Sequence, residues 1–208
     1  MKKVTILLLC LSIFSGVNAQ IKNLGPKVNT IHHEVRPVVS ADGTTLYFVV
    51  EGNPINPYKD GQDIWMSKRD SMGEWGTPLR LPNYINSERY NGVFWSSPDG
   101  NTLLIRGRRS ASGPVTRGFS KITKLENGDW GIPQPIKIHD YDRLSKGIYT
   151  GATLSVDEKV IIMYFSNNSD DDNNDLWISH LNETTGEYST PIKLSLSEEE
   201  ANEISSTH

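Results

Sequence analysis

The sequence has little cysteine, little excess charge of either sign and few long apolar runs. Its 208 residues contain one Cys, 21 Lys or Arg and 25 Asp or Glu, which gives a net charge of -4. A single Cys excludes an internal disulfide framework and a zinc cluster of several cysteines. The mild, mixed charge argues against a nucleic-acid partner. After the first twenty residues no apolar stretch is long enough for a membrane span.

The N-terminus has the organisation of a signal peptide. A short cationic start precedes an apolar run at 4–14, and Ala19 ends a small-residue segment of the kind that signal peptidase cleaves. We expect residues 1–19 to be removed, and the Cys with them. Leu9 precedes that Cys, so we expect no lipid anchor. The mature chain, 20–208, is therefore predicted to be periplasmic or secreted.

The mature sequence contains three similar segments. Asp42, Asp99 and Asp157 recur at near-constant spacing, each between two apolar stretches. A second landmark, an acidic residue and an aromatic one followed by Pro three positions later, comes after each of them. Ordered landmarks at a fixed period indicate a repeat architecture. The predicted repeats are 32–87, 88–147 and 148–208.

Each repeat predicts four short strands. An apolar stretch comes first, and in two repeats an Asp-Gly turn follows it, because Gly accepts a positive φ and Asp bonds the local backbone. Three further short strands follow, separated by polar loops and turns. Many short strands with frequent turn signals predict an all-β fold, and four antiparallel strands per repeat are typical of a β-propeller blade.

The motifs that carry the repeat are Ser-Ala-Asp-Gly at 40–43 with Leu-Tyr-Phe at 46–48, Ser-Pro-Asp-Gly at 97–100 with Leu-Leu at 103–104, and Asp-Ile-Trp at 63–65. With the Trp-Gly-x-Pro segments, they resemble the WD40-like β-propeller repeat of periplasmic Tol-type propellers and of secreted proteins from Bacteroidetes-like bacteria. The resemblance covers nearly all of 20–208. It implies a propeller architecture and leaves the function open, because this fold hosts scaffolds, binding proteins and enzymes.

Three repeats are fewer than the four to eight blades of a typical propeller. Three explanations remain open. Two chains pair as a homodimer and complete a six-bladed ring, or the chain is a fragment of a longer propeller protein, or three blades form a free-standing curved stack.

The candidate ligand-binding residues are arginines and one tryptophan. Arg106, Arg108, Arg109 and Arg117 are predicted to share one loop, and guanidinium groups suit carboxylate or phosphate oxygens. The alternative for this loop is a solvated hairpin with surface ion pairs. Trp95 lies on a predicted inner strand and is a candidate for the mouth of the central channel.

The sequence offers no convincing metal or catalytic motif. The acidic run at 170–175 alternates like a calcium loop, but Asp175 and Leu181 stand where an EF-hand has Gly and Glu. His139 and Asp140, which with Tyr141 and Asp142 lie in a predicted loop between blades, could form an acid–base pair, yet there is no nucleophile motif to accompany them. We expect no metal, no cofactor and no catalytic residue.

These observations together predict an exported, non-enzymatic interaction module. It would bind an envelope protein or a glycan through its inter-strand loops, because loops on a rigid scaffold commonly carry function. The alternative is a carbohydrate-active propeller hydrolase or lyase with carboxylates facing a channel. A fragment of a longer protein without an independent role is the third hypothesis.

Overall fold

The structure of the chain is a computed structural model that describes residues 22–110, 113–169 and 173–195. The predicted signal peptide at 1–19 lies outside these residues, and so do the first three aspartates of the acidic run, 170–172. In chain order the elements are β1 (His33–Val39), β2 (Thr45–Glu51), β3 (Gln62–Lys68), β4 (Leu79–Arg80), β5 (Val93–Ser96), β6 (Thr102–Arg108), β7 (Thr116–Thr123), β8 (Gln134–Pro135), α1 (Tyr141–Leu144), β9 (Thr150–Leu154), β10 (Val160–Phe165), β11 (Asp175–Asn182), β12 (Glu187–Tyr188) and β13 (Ile192–Lys193).

The strands form three antiparallel sheets, and each sheet follows the chain. The first has the order β1-β2-β3-β4 and the second β5-β6-β7-β8, while in the third β9-β10-β11 is extended by β12 and β13, which both pair with β11. The inner strands lie side by side, because β1 contacts β5 and β5 contacts β9. The result is an all-β, propeller-like fold. In the described part no helix has the length and apolarity that a membrane crossing requires.

The repeated aspartates close the turn between the first two strands of each sheet. In the first sheet the Ser40 hydroxyl donates to the Asp42 carboxylate at 2.6 Å and also accepts the Thr45 backbone N–H at 2.9 Å. The bond from Ser40 holds the pKa of Asp42 below its ordinary value. The same Ser-to-Asp hydrogen bond, also at 2.6 Å, recurs in the other two sheets. The residues in those turns are Ser97 with Asp99, and Ser155 with Asp157.

Two apolar cores join the three sheets face to face. Tyr47 and Ile64 of the first sheet pack with Leu103 and Ile105 of the second, and all four are fully buried. Burial of one such side chain contributes about 1.5–3 kcal/mol. Between the second and third sheets a row of aromatic rings continues the packing, with ring centroids 4.7–5.7 Å apart. Its members are Phe94, Phe119, Tyr141, Phe165 and Trp177.

The outer face of the third sheet is apolar and exposed. Ile64 in the first sheet is fully buried against the second sheet, whereas Leu176 at the matching position of the third sheet is 54% exposed. Leu81 and Leu194 show the same contrast, with 3% and 42% exposure. The repeats therefore place apolar residues where a further sheet would pack, although no described element covers this face of the third sheet.

Asp63 and Asp175 begin the third strands of their repeats and have related partners. The Asp63 carboxylate lies 2.6 Å from the Arg80 Nε and also accepts a hydrogen bond from the Asn91 amide at 3.0 Å. Asp175 lies 2.8 Å from the Lys193 Nζ. In both cases an acid of the third strand pairs with a cation of the fourth. The first pair is nearly buried and the second is exposed to solvent.

Two segments that the sequence predicts as loops are regular structure. Arg106 and Arg108 belong to strand β6 and Arg117 to β7, so the prediction that one loop carries the arginines is wrong. The strand extends this far because the Arg106–Phe119 pair continues the ladder beyond its buried leucines and isoleucines. The segment after Asp140 forms α1 instead of a loop, held by a hydrogen bond of 2.8 Å between the hydroxyls of Tyr141 and Thr150.

Candidate functional site

A pocket of about 250 Å³ opens beside the arginine-bearing strands of the second sheet. Its wall combines β6, β7, the segment that precedes β5 and the start of β9. The pocket is rich in cationic side chains, and Glu88 is the acidic residue among those that line it. The lining residues that bear functional groups are Glu88, Arg89, Tyr90, Arg106, Arg109, Thr116, Arg117 and Thr150.

The strand ladders have three irregularities, of which one involves residues that line this pocket and two involve residues of a neighbouring apolar groove. In β1 the register shifts between Val35 and Val38, in β5 it shifts around Phe94, and between β6 and β7 it shifts beyond Arg106. A β-bulge turns a side chain away from the regular alternation of a strand, and bulges are frequent beside active sites. Here the third irregularity includes Arg117, which lines the pocket.

Arg117 is held by backbone carbonyl groups. Its Nη1 donates to the carbonyl oxygens of Ser145 and Gly147 at 2.8 and 2.7 Å. These neutral acceptors fix the guanidinium and leave its positive charge uncompensated by a carboxylate. Arg117 therefore contributes positive potential to the pocket from a fixed position.

Arg106 differs from Arg117, because its guanidinium makes no hydrogen bond or ion pair within the described part of the chain. Burial lowers the pKa of Arg106, and the positive charges of Arg36 and Arg117 lower it further. A half-buried cation beside two others has an electrostatic cost that an anion in the pocket would relieve. Arg106 is the arginine of the pocket that is available for a ligand.

Arg109 is a buried residue that organises the segment before β5. It is 4% exposed, and its guanidinium donates to the side-chain oxygens of Ser87 and Asn91. Asn91 in turn makes two hydrogen bonds with the backbone of Glu88. Its Oδ1 accepts from the Glu88 N–H, and its Nδ2 donates to the Glu88 carbonyl oxygen. Burial lowers the pKa of Arg109, and the Glu88 carboxylate opposes that effect. Arg109 therefore positions the chain that carries Glu88.

Glu88 supplies the carboxylate of the pocket. Its side chain is half-buried and lies close enough to Arg109 for their charges to interact. The described residues provide its carboxylate oxygens with no hydrogen bond. A positioned carboxylate without a partner is able to accept a proton from a water molecule or a substrate.

The other two candidates from the sequence lie outside the pocket. Arg108 points to the helix, where its Nη2 contacts both carboxylate oxygens of Asp142 at 2.9 and 2.7 Å. Trp95 is 9% exposed and packs in the core between the second and third sheets, next to Leu104 and Phe119. The structure thus brings Arg106, Arg109 and Arg117 together and separates Arg108 and Trp95 from them.

The described residues contain no cluster of three His, Cys, Asp or Glu side chains that could hold a metal ion. Half of the acidic run that was compared with a calcium loop, 170–172, lies outside the described residues. His139 contacts Thr190 at 2.9 Å and Asp140 at 3.3 Å on the surface, away from the pocket. The charged groups that line the pocket are therefore cations and one carboxylate.

Sequence reasoning did not identify Glu88 or Arg36. Arg36 carries a signal, because Val93 and Gly151 occupy its position in the other two repeats. A charged residue at an inner-strand position where the other two repeats have Val and Gly departs from the pattern of the repeat. Glu88 carries no such signal, since it lies in a polar segment rich in charged residues.

Comparison with known proteins identifies structural neighbours only. No protein-family model matches the chain, and no curated protein matches its sequence. The structure of the periplasmic gluconolactonase PpgL from Pseudomonas aeruginosa is similar, with 11% identity, a TM-score of 0.43, and coverage of 76% of this chain and 44% of that one. A structure from a study of two prolyl endopeptidases is similar over 80% of this chain and 21% of that one, with 14% identity and a TM-score of 0.36.

These neighbours change one expectation and leave others open. The chain spans less than half the length of the gluconolactonase and about a fifth of the endopeptidase structure. The gluconolactonase is an enzyme, and this finding contradicts the expectation of a non-enzymatic interaction module without intrinsic catalysis. At this identity the likeness concerns the fold and transfers no substrate and no catalytic residue to this chain.

Proposed function

We propose that the chain is a carbohydrate-active hydrolase that opens a lactone or ester bond of a sugar. The observation that carries the proposal is the presence of one carboxylate, Glu88, and the unpaired guanidinium of Arg106 in the lining of the same pocket. The expected export of the chain to the periplasm or the cell exterior belongs to the same proposal.

The number of carboxylates favours this bond type over a glycosidic bond. Glycoside hydrolysis commonly uses two carboxylic acids on opposite sides of the scissile bond. Among its described lining residues this pocket has Glu88 alone. Hydrolysis of an acyl bond needs one general base and one group that stabilises an oxyanion, and Glu88 and Arg106 match those two roles.

The reaction would proceed through a tetrahedral intermediate. Glu88 takes a proton from water while the water oxygen bonds to the carbonyl carbon, and the carbonyl electron pair moves onto its oxygen. Arg106 stabilises the resulting oxyanion, with Arg117 adding positive potential. Collapse of the intermediate restores the carbonyl group and breaks the acyl carbon–oxygen bond, and the leaving oxygen takes the proton from Glu88. The products are one carboxylic acid, which then ionises, and one hydroxyl group.

A substrate panel tests the class of reaction. The purified chain is offered sugar lactones, acetylated sugars and aryl glycosides, and acid release or aryl release is followed. We expect acid release from the lactones or the acetylated sugars. We expect no release of the aryl group from the aryl glycosides. Cleavage of the glycosides without acid release would contradict the proposal, as would formation of an unsaturated sugar, which indicates a lyase.

We also propose that the three sheets are WD40-like blades of an incomplete propeller. Leu176 and Leu194 occupy positions that are buried by the next sheet elsewhere in the chain, which supports packing of another blade on the third sheet. A second copy of the chain is the proposed source of that blade. Light scattering coupled to size exclusion should give a dimer for the wild type, and a monomer would contradict this arrangement.

A further inference from the structure

We propose that Arg36 and Arg106 together form an anion site that holds a carboxylate or phosphate group of the ligand. The inference rests on the proposed function for the kind of ligand, and on its own geometry for the anion. Arg36 comes from the inner strand of the first sheet and lines an apolar groove beside the pocket.

The backbone directs Arg36 away from the regular strand pattern. Arg36 has a φ of 55°, in the left-handed region that residues with a side chain seldom adopt. It lies within the register shift between Val35 and Val38, so it has no partner in the ladder with β2. Strained backbone conformations persist where the surrounding structure enforces them, and they concentrate at binding sites. The strain at this residue therefore accompanies a side chain that is turned towards the second sheet.

The Arg36 guanidinium packs closely against β5 and lacks a partner there. It stacks over the Phe94 ring at 5.6 Å, and a methyl group added to Gly92 would lie 3.1 Å from its Nη1 and 3.7 Å from the Arg106 Cβ. The guanidinium end of Arg36 and the Cβ of Arg106 thus lie beside the same residue of the second sheet. The Nη1 atom is buried and donates no hydrogen bond to any described group. A buried donor without an acceptor is costly, and a bound oxygen atom would satisfy it.

The charges around this pair are positive and uncompensated. Arg36 and Arg106 have no ion pair among the described residues, and Arg117 adds a third cation that is bonded to carbonyl oxygens. The mutual repulsion contributes to the lowered pKa of Arg106. Planar guanidinium groups bind carboxylate and phosphate oxygens through paired N–H donors. Two guanidinium groups whose positive charges act on each other therefore favour an oxyanion over a neutral hydroxyl group.

Calorimetric titration of the purified chain tests the site without turnover. The probes are gluconate, inorganic phosphate and neutral glucose. We expect an anion to bind and glucose to bind far more weakly. The anion with the higher affinity, gluconate or phosphate, shows whether the site holds a carboxylate or a phosphate group. Because a hydrogen bond to a charged group contributes about 1.5–3 kcal/mol, Arg36→Gln should weaken anion binding by roughly 10- to 100-fold. Arg69→Gln is the matched control, because Arg69 also stacks on an aromatic ring, that of Trp75, and lines neither the pocket nor the groove.

A second variant tests the position of the Arg36 guanidinium without changing the charge of the site. Gly92→Ala keeps every charge and displaces only the flexible end of Arg36, so we expect a folded protein with reduced anion affinity. Unchanged anion affinity in Arg36→Gln, or no binding of either anion to the wild type, would overturn the proposal. If anion binding depends on Arg36 and no sugar lactone or ester is hydrolysed, the anion site stands and the hydrolase proposal fails. If hydrolysis occurs and Arg36→Gln binds anions normally, the hydrolase proposal stands and the anion site fails.

Discussion

Replacement of Asp63 by Ala should destabilise the protein far more than the same change at Asp175. The two residues occupy equivalent positions, and each pairs with a cation of the fourth strand. The Asp63 side chain is 2% exposed and its partner Arg80 is 15% exposed, whereas Asp175 and Lys193 are 37% and 52% exposed. Breaking a buried ion pair leaves a buried charge and costs about 3–5 kcal/mol. Losing a solvent-exposed pair costs about 0–1 kcal/mol.

Urea unfolding followed by circular dichroism measures both variants under one set of conditions. We expect the free energy of unfolding to fall at least about 2 kcal/mol further for Asp63→Ala than for Asp175→Ala, with similar m values. In the Asp63→Ala background, Arg80→Met should restore part of the loss because it removes the unpaired charge. Equal losses for the two aspartate variants would refute the reasoning that burial determines the energy of this pair.

Two further predictions concern the turn of the third repeat and a buried tyrosine. Glu158 has a φ of 58°, where the other two repeats have Gly, and it also pairs with Lys121 at 2.6 Å. Glu158→Gly should therefore be more stable than Glu158→Ala by about 1 kcal/mol in urea unfolding, since both lose the pair and Gly alone relieves the strain. Equal stability of these two variants would contradict that account. Burial raises the pKa of Tyr47 to about 12, above its ordinary value of 10.0, so its contribution to stability is complete below about pH 10 and is lost as the pH rises towards 12. In thermal unfolding between pH 9 and pH 12 the wild type should lose roughly 2–3 kcal/mol more than Tyr47→Phe, and parallel curves would argue against it.

Much of the architecture could be predicted from the sequence because it depends on local signals. The turn residues recur with the same hydrogen bonds, and the strand that each repeat predicts after its turn is present as β2, β6 and β10. The short helix α1 could not be predicted, because it depends on the burial of Tyr141 between two sheets.

The candidate site was less accessible to sequence reasoning, because its residues meet only through tertiary structure. The arginine cluster gave a correct signal of positive charge, and three of its four members line the pocket. The sequence could not show that Arg108 turns to Asp142 or that Arg109 is buried among Ser87 and Asn91. Arg108 differs from Arg106 because the register shift between them breaks the regular alternation of side chains along β6, and Arg109 lies beyond the end of that strand.

The most direct test of the central claim is the rate of lactone or ester hydrolysis by the wild type, Glu88→Gln and Glu126→Gln. Glu126 is an exposed acid in the turn after β7, so Glu126→Gln makes the same chemical change away from the pocket. Loss of a general base lowers the rate about 10²- to 10⁴-fold. We expect kcat/KM to fall in that range for Glu88→Gln and to be unchanged for Glu126→Gln. Equal activity of all three proteins would contradict the assignment of the pocket as a hydrolytic site.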